Sequence, residues 1–163
     1  MQYATELEAT INDMVQKGRG VLAADESAPT IAKRFKAINV ESSEATRRAW
    51  RSLLVTTPGL GEYISGVILF EETLGQNAAD DDAITMTMTM TMTMTMAQAA
   101  WAQKIVPGIK VDRGTIPLAL SAGDLVTQGL DDLAERLRIY KSQGARFAKW
   151  REVYEIGPKA PTQ

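Results

Sequence analysis

The sequence predicts an α/β fold in which helices cover a parallel β-sheet. Four short, largely apolar runs, GVLAAD, SGVILF, VPGIKVD and RFAKWR, end near residues 25, 70, 110 and 149, about 40 residues apart. Continuous apolar runs are typical of strands buried on both faces, and strands that alternate with helices form parallel sheets. The spacing is compatible with a (β/α)8 barrel, which averages about 31 residues per unit, if the loops are long. A doubly wound sheet fits the same alternation equally well.

Four segments show apolar residues at the spacing of an amphipathic helix. Helix start and stop signals accompany them: Pro29 suits a first helical turn, Ser42 or Ser43 suits an N-cap, and Gly18 and Gly144 suit C-terminal ends. The expected core-facing residues are Leu7, Ile11, Met14 and Val15 in residues 4–16, then Ile31, Phe35 and Ile38, then Trp50, Leu53 and Leu54, and finally Leu130, Leu133, Leu137 and Tyr140.

Composition narrows the chemistry that the protein can perform. The chain has 163 residues, a net charge of −2 and neither Cys nor His, which excludes disulfides, thiolate nucleophiles, Ser–His catalysis and His-ligated or Cys-ligated metals. Acid–base chemistry must therefore use Asp, Glu, Lys or Tyr. The near-neutral charge gives no electrostatic signature of nucleic acid or of an anionic membrane. No apolar run is long enough to span a bilayer, and MQYATELEAT does not resemble a signal sequence, so we expect a cytoplasmic protein.

Residues 85–96 consist of six consecutive Thr-Met pairs and contain 6 of the 8 methionines. Strict alternation of this kind formally predicts a strand, but no neighbouring element requires one there. We interpret the repeat as an artefact of the recorded sequence rather than as a genuine low-complexity insertion. We assign it no function, and we expect irregular structure over it.

Charged residues follow the predicted strands at the edge where parallel α/β folds bind ligands. Side chains two positions apart on a strand share a face, so Lys110 and Asp112 point together, as do Lys149 and Arg151. An inward lysine on a buried sheet needs a partner or a ligand. Two lysines and an arginine form a cationic pocket suited to phosphates, with Asp25 as counter-ion or proton carrier. The alternative is that these groups form structural salt bridges or face solvent.

The turn after the first strand is a second candidate for anion binding. Free N–H groups at a helix start bind anions, and Ser27 and Thr30 add hydroxyl donors before Arg34. A plain helix cap is the alternative. The sequence lacks the phosphate loops GxGxxG and GxxxxGK[ST].

Other charged residues are expected to have structural or solvent-exposed positions. Arg47 and Arg48 are predicted to be solvated surface charges, and Asp132 and Arg136 an exposed i,i+4 pair. Glu71 and Glu72 are adjacent acids that could form a catalytic pair, although one of two adjacent acids at a strand end usually faces away.

Six segments resemble class I fructose-bisphosphate aldolases, closely and in order. The resemblance covers nearly all of the chain outside the Thr-Met repeat and its flanks, and the segments that carry it read GRGVLAADES (18–27), TIAKRF (30–35), YISGVILFEETL (63–74), VPGIKVDRGTIPL (106–118), TQGLDDLAERL (127–137) and GARFAKWR (144–151). The resemblance implies a (β/α)8 TIM barrel of which residues 1–163 supply about the first four βα units. It also implies a homotetramer and a metal-free, cofactor-free reaction in glycolysis or gluconeogenesis.

The resemblance assigns roles to the strand-end positions. Asp25 matches the aspartate that handles the C4-hydroxyl proton during carbon–carbon cleavage, and Lys149 matches the lysine that assists the carbinolamine and dehydration steps. The positions matching phosphate-binding or substrate-binding residues are Ser27, Thr30, Arg34, Lys110 and Arg151. Ala28-Pro29 stands where the family commonly has Thr-Gly, which removes one hydroxyl and one backbone N–H from the phosphate turn.

Other functional positions of the family have no counterpart in this sequence. They are the Schiff-base lysine on strand six, the acid–base glutamate on strand five and the C1-phosphate loops after strands seven and eight. We therefore expect that the chain belongs to an enzyme that cleaves fructose 1,6-bisphosphate, and that the 163 residues alone are inactive. The alternative is a non-catalytic half-barrel that binds a sugar phosphate or a partner chain.

Overall fold

The computed structural model describes residues 3–78, 94–121 and 123–158. The strands are β1 (Gly20–Ala24), β2 (Ile64–Leu69), β3 (Val106–Lys110), β4 (Thr115–Pro117), β5 (Leu125–Thr127) and β6 (Phe147–Lys149). The helices are α1 (Ala4–Met14), α2 (Ala28–Ala37), α3 (Glu44–Thr56), α4 (Glu71–Leu74), α5 (Met96–Ala102) and α6 (Leu133–Ser142), with a 3-10 turn at Leu60–Glu62. Within these ranges no helix has the length and apolar character needed to cross a bilayer.

The main sheet is parallel, as predicted, and its strands lie in chain order, β1-β2-β3-β6. Its middle is built from small and branched residues, with Ala23 beside Ile68, Ile68 beside Gly108, and Gly108 beside Phe147. The short antiparallel hairpin of β4 and β5 is a feature that the apolar runs did not indicate.

One face of the sheet carries the core and the other is open. Leu69 and Ile109 are buried against helix residues such as Val55 and Ala100. On the opposite face Val21 and Ala23 are exposed. Alternate residues of each strand thus meet helices or the open side, as the two-residue period of a strand requires.

Helix α1 differs from the helices that pack against the core face of the sheet. A Cβ added to Gly66 would lie 3.6 Å from the Met14 methyl and 3.5 Å from the Phe147 ring, so α1 reaches the open face. The Ser65 hydroxyl donates to the Met14 carbonyl oxygen at 2.6 Å and holds the end of α1 there. A Cβ on Gly108 would lie 2.3 Å from the same ring, so Phe147 packs directly over that glycine.

Several predicted core positions are wrong. The stripe Leu7, Ile11 and Val15 is exposed rather than buried in the core. Leu53 and Leu130 are also exposed, 59% and 71% respectively, and Leu130 precedes α6.

The predicted exposed pair of Asp132 and Arg136 is also wrong. Arg136 is buried, and its guanidinium donates to the backbone carbonyls of Val111 and Gly129. Periodicity cannot distinguish a buried arginine that binds carbonyls from a solvated one.

The Thr-Met repeat lies mostly outside the described residues, which resume at Met94. The expectation of irregular structure fails for its last pair. Thr95 is the N-cap of α5 and forms a reciprocal capping box with Gln98, at 3.2 Å and 2.9 Å. Met96 is fully buried in the core.

Candidate functional site

The strand-end lysines share the open face of the sheet. Lys110 and Lys149 are register partners on β3 and β6, and partners in register point to the same side. The Lys149 ammonium donates to Oδ2 of Asp25 at 2.7 Å. The expectation that these three side chains converge at one end of one face is therefore confirmed.

The contact between Lys149 and Asp25 also shows how strongly the sheet curves. Strands β1 and β6 are three strand spacings apart, about 14 Å in a flat sheet. A lysine ammonium extends only about 6 Å from its own Cα. The two edge strands must therefore bend toward each other around a concave face, which is the curvature of a barrel wall rather than of an open doubly wound sheet.

Asp112 fixes the position of Lys110. The Lys110 ammonium donates to Oδ1 and to the backbone carbonyl of Asp112, each at 2.7 Å, and the Gly114 N–H donates to Oδ1 at 3.2 Å. Burial raises the pKa of the Asp112 carboxyl, but the hydrogen bonds from Lys110 and Gly114 and the charges of Lys110 and Lys149 outweigh it, so the pKa lies below its ordinary value. An ammonium has three N–H donors, so one remains for a ligand.

The turn between β1 and α2 brings two hydroxyls together. Ser27 is the N-cap of α2, and its Oγ lies 3.1 Å from Oγ1 of Thr30. The Ser27 side chain makes no capping hydrogen bond to the backbone of α2, so its described contact with the helix is the one to the Thr30 hydroxyl. Pro29 occupies the first helical turn, where a missing N–H is tolerated, but it removes one donor from any anion bound there.

Two of the predicted binding residues, Arg34 and Arg151, make no described side-chain contact with this cluster. Arg34 is largely exposed and forms an ion pair with the Glu26 carboxylate. Arg151 is exposed and follows the end of β6, so strand alternation no longer fixes its direction. Its backbone carbonyl accepts a hydrogen bond from Thr127 Oγ1 at 2.7 Å.

A network of arginines behind the turn was missed by the sequence analysis. Arg47 is not a solvated charge: its Nε and Nη2 bind the two oxygens of Glu72 at 2.9 Å and 2.5 Å. The hydrogen bond from Arg47 is the largest cause of the lowered pKa of Glu72, ahead of the opposing effect of burial and the added charge of Arg51. Arg51 is fully buried and donates to Oε2 of the same carboxylate at 3.4 Å.

Glu71 and Glu72, considered above as a pair, contact different partners. Glu71 accepts a hydrogen bond from the Tyr140 hydroxyl at 2.8 Å, whereas Glu72 binds the arginines of α3. The spacing of Arg47 and Arg51, one helical turn apart, is the one sequence signal that pointed to a shared partner.

The described part of the chain contains no group of three or more Asp, Glu, His or Cys side chains placed to hold a metal ion. The chemistry available at the concave face is that of two ammonium groups, two carboxylates and the hydroxyls of the adjoining turn.

The comparisons with known proteins agree on one family. The family model described as Glycolytic, fructose-bisphosphate aldolase class-I, matches residues 6–163. The chain is 51% identical to fructose-bisphosphate aldolase 2, chloroplastic, of Pisum sativum over 97% of its own length and 42% of that protein. It is 50% identical to the cytoplasmic isozyme of Spinacia oleracea over 99% of its own length and 42% of that protein.

A solved structure shows the same fold. The aldolase of Plasmodium falciparum, crystallised in a ternary complex with TRAP and a small-molecule inhibitor, superposes with a TM-score of 0.86 and 44% identity. The match covers 99% of this chain and 44% of that one, so the chain spans about two fifths of the length of the relatives it matches. The fold is therefore α/β and corresponds to part of a TIM barrel. The chain belongs to the class I fructose-bisphosphate aldolase family.

Proposed function

We propose that this chain carries part of the active site for the reversible cleavage of fructose 1,6-bisphosphate into dihydroxyacetone phosphate and glyceraldehyde 3-phosphate through a Schiff base. One observation carries the proposal: the Lys149 ammonium is bound to Asp25 at the concave end of the sheet, with Lys110 beside it in register. A proton donor, a proton acceptor and a second cation thus lie together at the edge where barrels bind substrates.

The Asp25 carboxylate is the proposed acceptor of the C4-hydroxyl proton. As that proton leaves, the C4 oxygen becomes the aldehyde oxygen, the C3–C4 bond breaks, and its electron pair moves into the iminium, which becomes an enamine. Lys149 donates a proton to the hydroxyl that leaves when the carbinolamine dehydrates. Its present hydrogen bond to Asp25 keeps the donor and the acceptor within one proton-transfer distance.

The proposed distal phosphate site combines Ser27, Thr30 and the remaining N–H of Lys110, with Arg34 at its margin. The adjacent hydroxyls and the fixed ammonium support this assignment. Arg34 must leave Glu26 to join them, because its guanidinium is held by that carboxylate. Arg151 is the proposed further substrate-binding arginine.

Neither lysine is proposed as the nucleophile. Imine formation requires an uncharged amine. Lys110 and Lys149 each donate to a carboxylate, a contact that uses the protonated amine. The nucleophile and the principal acid–base group have no matching position in these 163 residues, so the chain alone is expected to bind substrate weakly and not to turn it over.

Two measurements on the full 163-residue chain test this assignment. In an NMR titration with fructose 1,6-bisphosphate, we expect chemical-shift changes at Ser27, Thr30 and Lys110. The changes should report weak binding, with a Kd on the order of 1 mM or higher. The variant Lys110→Met should abolish them, whereas Arg138→Gln, which changes a distant exposed arginine, should not. Shifts that persist in Lys110→Met would contradict the phosphate site.

The second measurement concerns the nucleophile. Borohydride reduction with dihydroxyacetone phosphate, followed by peptide mapping, is expected to give no adduct on Lys110 or Lys149. An adduct on either lysine would show that the chain carries its own nucleophile.

The second candidate function is a non-catalytic half-barrel that binds a sugar phosphate or a partner chain. The exposed Val21 and Ala23 on the concave face favour it, since an open sheet face and edge can receive another chain. Intact-mass measurement of the natural protein separates the two: a mass near 17.8 kDa supports the half-barrel. A mass near twice that value supports the enzyme, for which we propose a cytoplasmic homotetramer.

A further inference from the structure

We propose that Arg51 is a positioning residue that holds the turn between β1 and α2 so that Asp25 faces Lys149. This inference rests on the proposed function, in which those two side chains act together. Arg51 is on α3 and touches neither Asp25 nor Lys149 in the described contacts, so its effect must pass through the turn.

The contacts of Arg51 are the first step of the argument. Its Nη2 donates to the backbone carbonyl of Glu26 at 2.5 Å, and Glu26 is the residue between Asp25 and the N-cap Ser27. Because a peptide unit is planar, fixing that carbonyl fixes the orientation of the Glu26–Ser27 peptide. Arg51 therefore sets the path of the chain as it leaves the strand that ends beside Asp25.

The second step is that Arg51 contacts both the segment after β1 and the segment after β2. Its Nη1 reaches Oε2 of Glu72, the acid that follows β2, while its guanidinium carbon lies 5.5 Å from the centre of the Phe70 ring. The planar guanidinium of Arg51 thus holds the segments that follow the neighbouring strands β1 and β2. The ammonium group of a lysine cannot reproduce this geometry. Arg47 forms an ion pair with the same carboxylate and so restricts its movement away from Arg51.

The third step concerns the free-energy cost of burying the Arg51 charge. Arg51 has no exposed surface, and its Nε has no hydrogen-bond partner among the described residues. An apolar side chain of similar volume often stabilises such a site as well or better, so burial of the charge alone gives no reason for arginine here. Holding the Glu26 carbonyl in a defined place is a role that an apolar side chain cannot fill.

The test measures the lysines rather than stability. A paired ammonium reacts slowly with an acylating reagent, and mass spectrometry after Glu-C digestion reports each lysine separately. Lys110 is an internal control, because its partner Asp112 lies outside the Arg51 network. The variants are Arg51→Gln and Arg51→Lys, with Asp25→Asn as the positive control. Arg136→Gln is a matched control that removes another buried, carbonyl-binding arginine.

We expect Asp25→Asn to raise Lys149 labelling on the order of tenfold, because the charge-assisted hydrogen bond is lost. Arg51→Gln should raise it about threefold, because the same hydrogen bond is loosened. Labelling of Lys110 should stay unchanged in both variants. Arg51→Lys should give an intermediate value. Arg136→Gln should lower the melting temperature without raising Lys149 labelling.

The outcomes separate the inference from the proposed function. If Asp25→Asn leaves Lys149 labelling unchanged, the ion pair that carries the proposed function is absent in solution, and this inference falls with it. If Asp25→Asn raises labelling but Arg51→Gln does not, only the positioning role of Arg51 is overturned. Equal rises at Lys110 and Lys149 in Arg51→Gln, or a rise at Lys149 in Arg136→Gln, would indicate general loosening and would also overturn it.

Discussion

Lys149 and Asp25 are 124 residues apart in the chain, yet the Lys149 ammonium lies 2.7 Å from the Asp25 carboxylate. The pair joins the two edge strands of the sheet across its concave face. Asp25 is the more buried partner, with 11% of its side chain exposed against 33% for Lys149. The contact is therefore both a structural tie and the centre of the proposed chemistry.

Replacing Lys149 should destabilise the chain. Lys149→Met leaves the Asp25 carboxylate buried without its partner, and we expect a loss of about 1–3 kcal/mol in the free energy of unfolding. The double variant with Asp25→Asn should cost less than the sum of the two single variants, with a coupling of about 0.5–3 kcal/mol. Urea denaturation measures all three.

The exposed pair of Arg138 and Glu135 is the control for that experiment. Both side chains are mostly exposed, so Arg138→Gln should cost about 0–1 kcal/mol. Additive effects of Lys149→Met and Asp25→Asn would contradict the contact.

The lowered pKa of Asp112 predicts a loss of stability in acid. Because its pKa in the folded chain lies below the ordinary value, the ionised form stabilises the fold. That contribution is complete above the unfolded-state pKa of about 3.9 and is lost as the pH falls through the folded-state value. Asp112→Asn should therefore be less stable than the unmodified chain at neutral pH, and the gap should shrink below about pH 4.

Urea denaturation over a pH series measures this gap. Asp13→Asn changes an exposed carboxylate on α1 and should leave the profile unchanged. A gap between Asp112→Asn and the unmodified chain that stays constant down to about pH 2 would count against ionisation as its cause.

The packing of Phe147 over Gly108 predicts that replacing this glycine destabilises the chain. A Cβ there would lie 2.3–2.5 Å from three ring atoms, so Gly108→Ala must displace the ring, and we expect it to cost about 1–3 kcal/mol. Phe147→Leu should reduce the loss of stability caused by Gly108→Ala, because the smaller side chain leaves room for the added Cβ. Thermal unfolding of the single and double variants measures the coupling.

Gly20 provides the comparison, since a Cβ at that strand position meets nothing within 4 Å. Gly20→Ala should change stability by about 0.5 kcal/mol or less. Equal costs at Gly20 and Gly108 would mean that the ring does not press on the glycine.

The end of the Thr-Met repeat should contribute to stability through α5. Thr95→Ala removes the cap of this helix and should cost about 1 kcal/mol, whereas Thr95→Ser keeps the hydroxyl and should be nearly neutral. Met96→Ala should cost about 2–5 kcal/mol because the side chain is fully buried. Chemical denaturation of the three variants tests these values.

Peptide mass spectrometry tests the repeat itself. We expect that the natural protein does not yield six intact Thr-Met pairs at residues 85–96. Their recovery would show that the repeat is genuine.

The strands and the shared face of the lysines could be predicted from the sequence. Apolar runs marked all four parallel strands, and each ended within a few residues of the expected position. The two-residue period pairs Lys110 with Asp112 and Lys149 with Arg151, and the need of an inward lysine for a partner or ligand predicts one shared pocket. The register of β3 and β6 confirms that the two lysines share a face.

The arginines could not be predicted in the same way. Arg51 and Arg136 bind backbone carbonyls, and every residue has a carbonyl, so composition and spacing carry no trace of the partner. Helix periodicity likewise shows that Leu7 and Ile11 share a face of α1, but not whether that face meets the sheet or the solvent. Tertiary packing decides both.

The Phe147 ring packs over Gly108 and the Met14 methyl lies over Gly66, so the two ends of the concave face differ in character. They fill its amino-terminal end, so an apolar floor lies opposite the charged carboxyl-terminal end of the same face. An anion bound by the ammonium groups of Lys110 and Lys149 would meet apolar surface if it moved deeper along the face. The two glycines thus influence where a charged ligand can bind: they make room for Phe147 and Met14, which leave the polar part of the face at its charged rim.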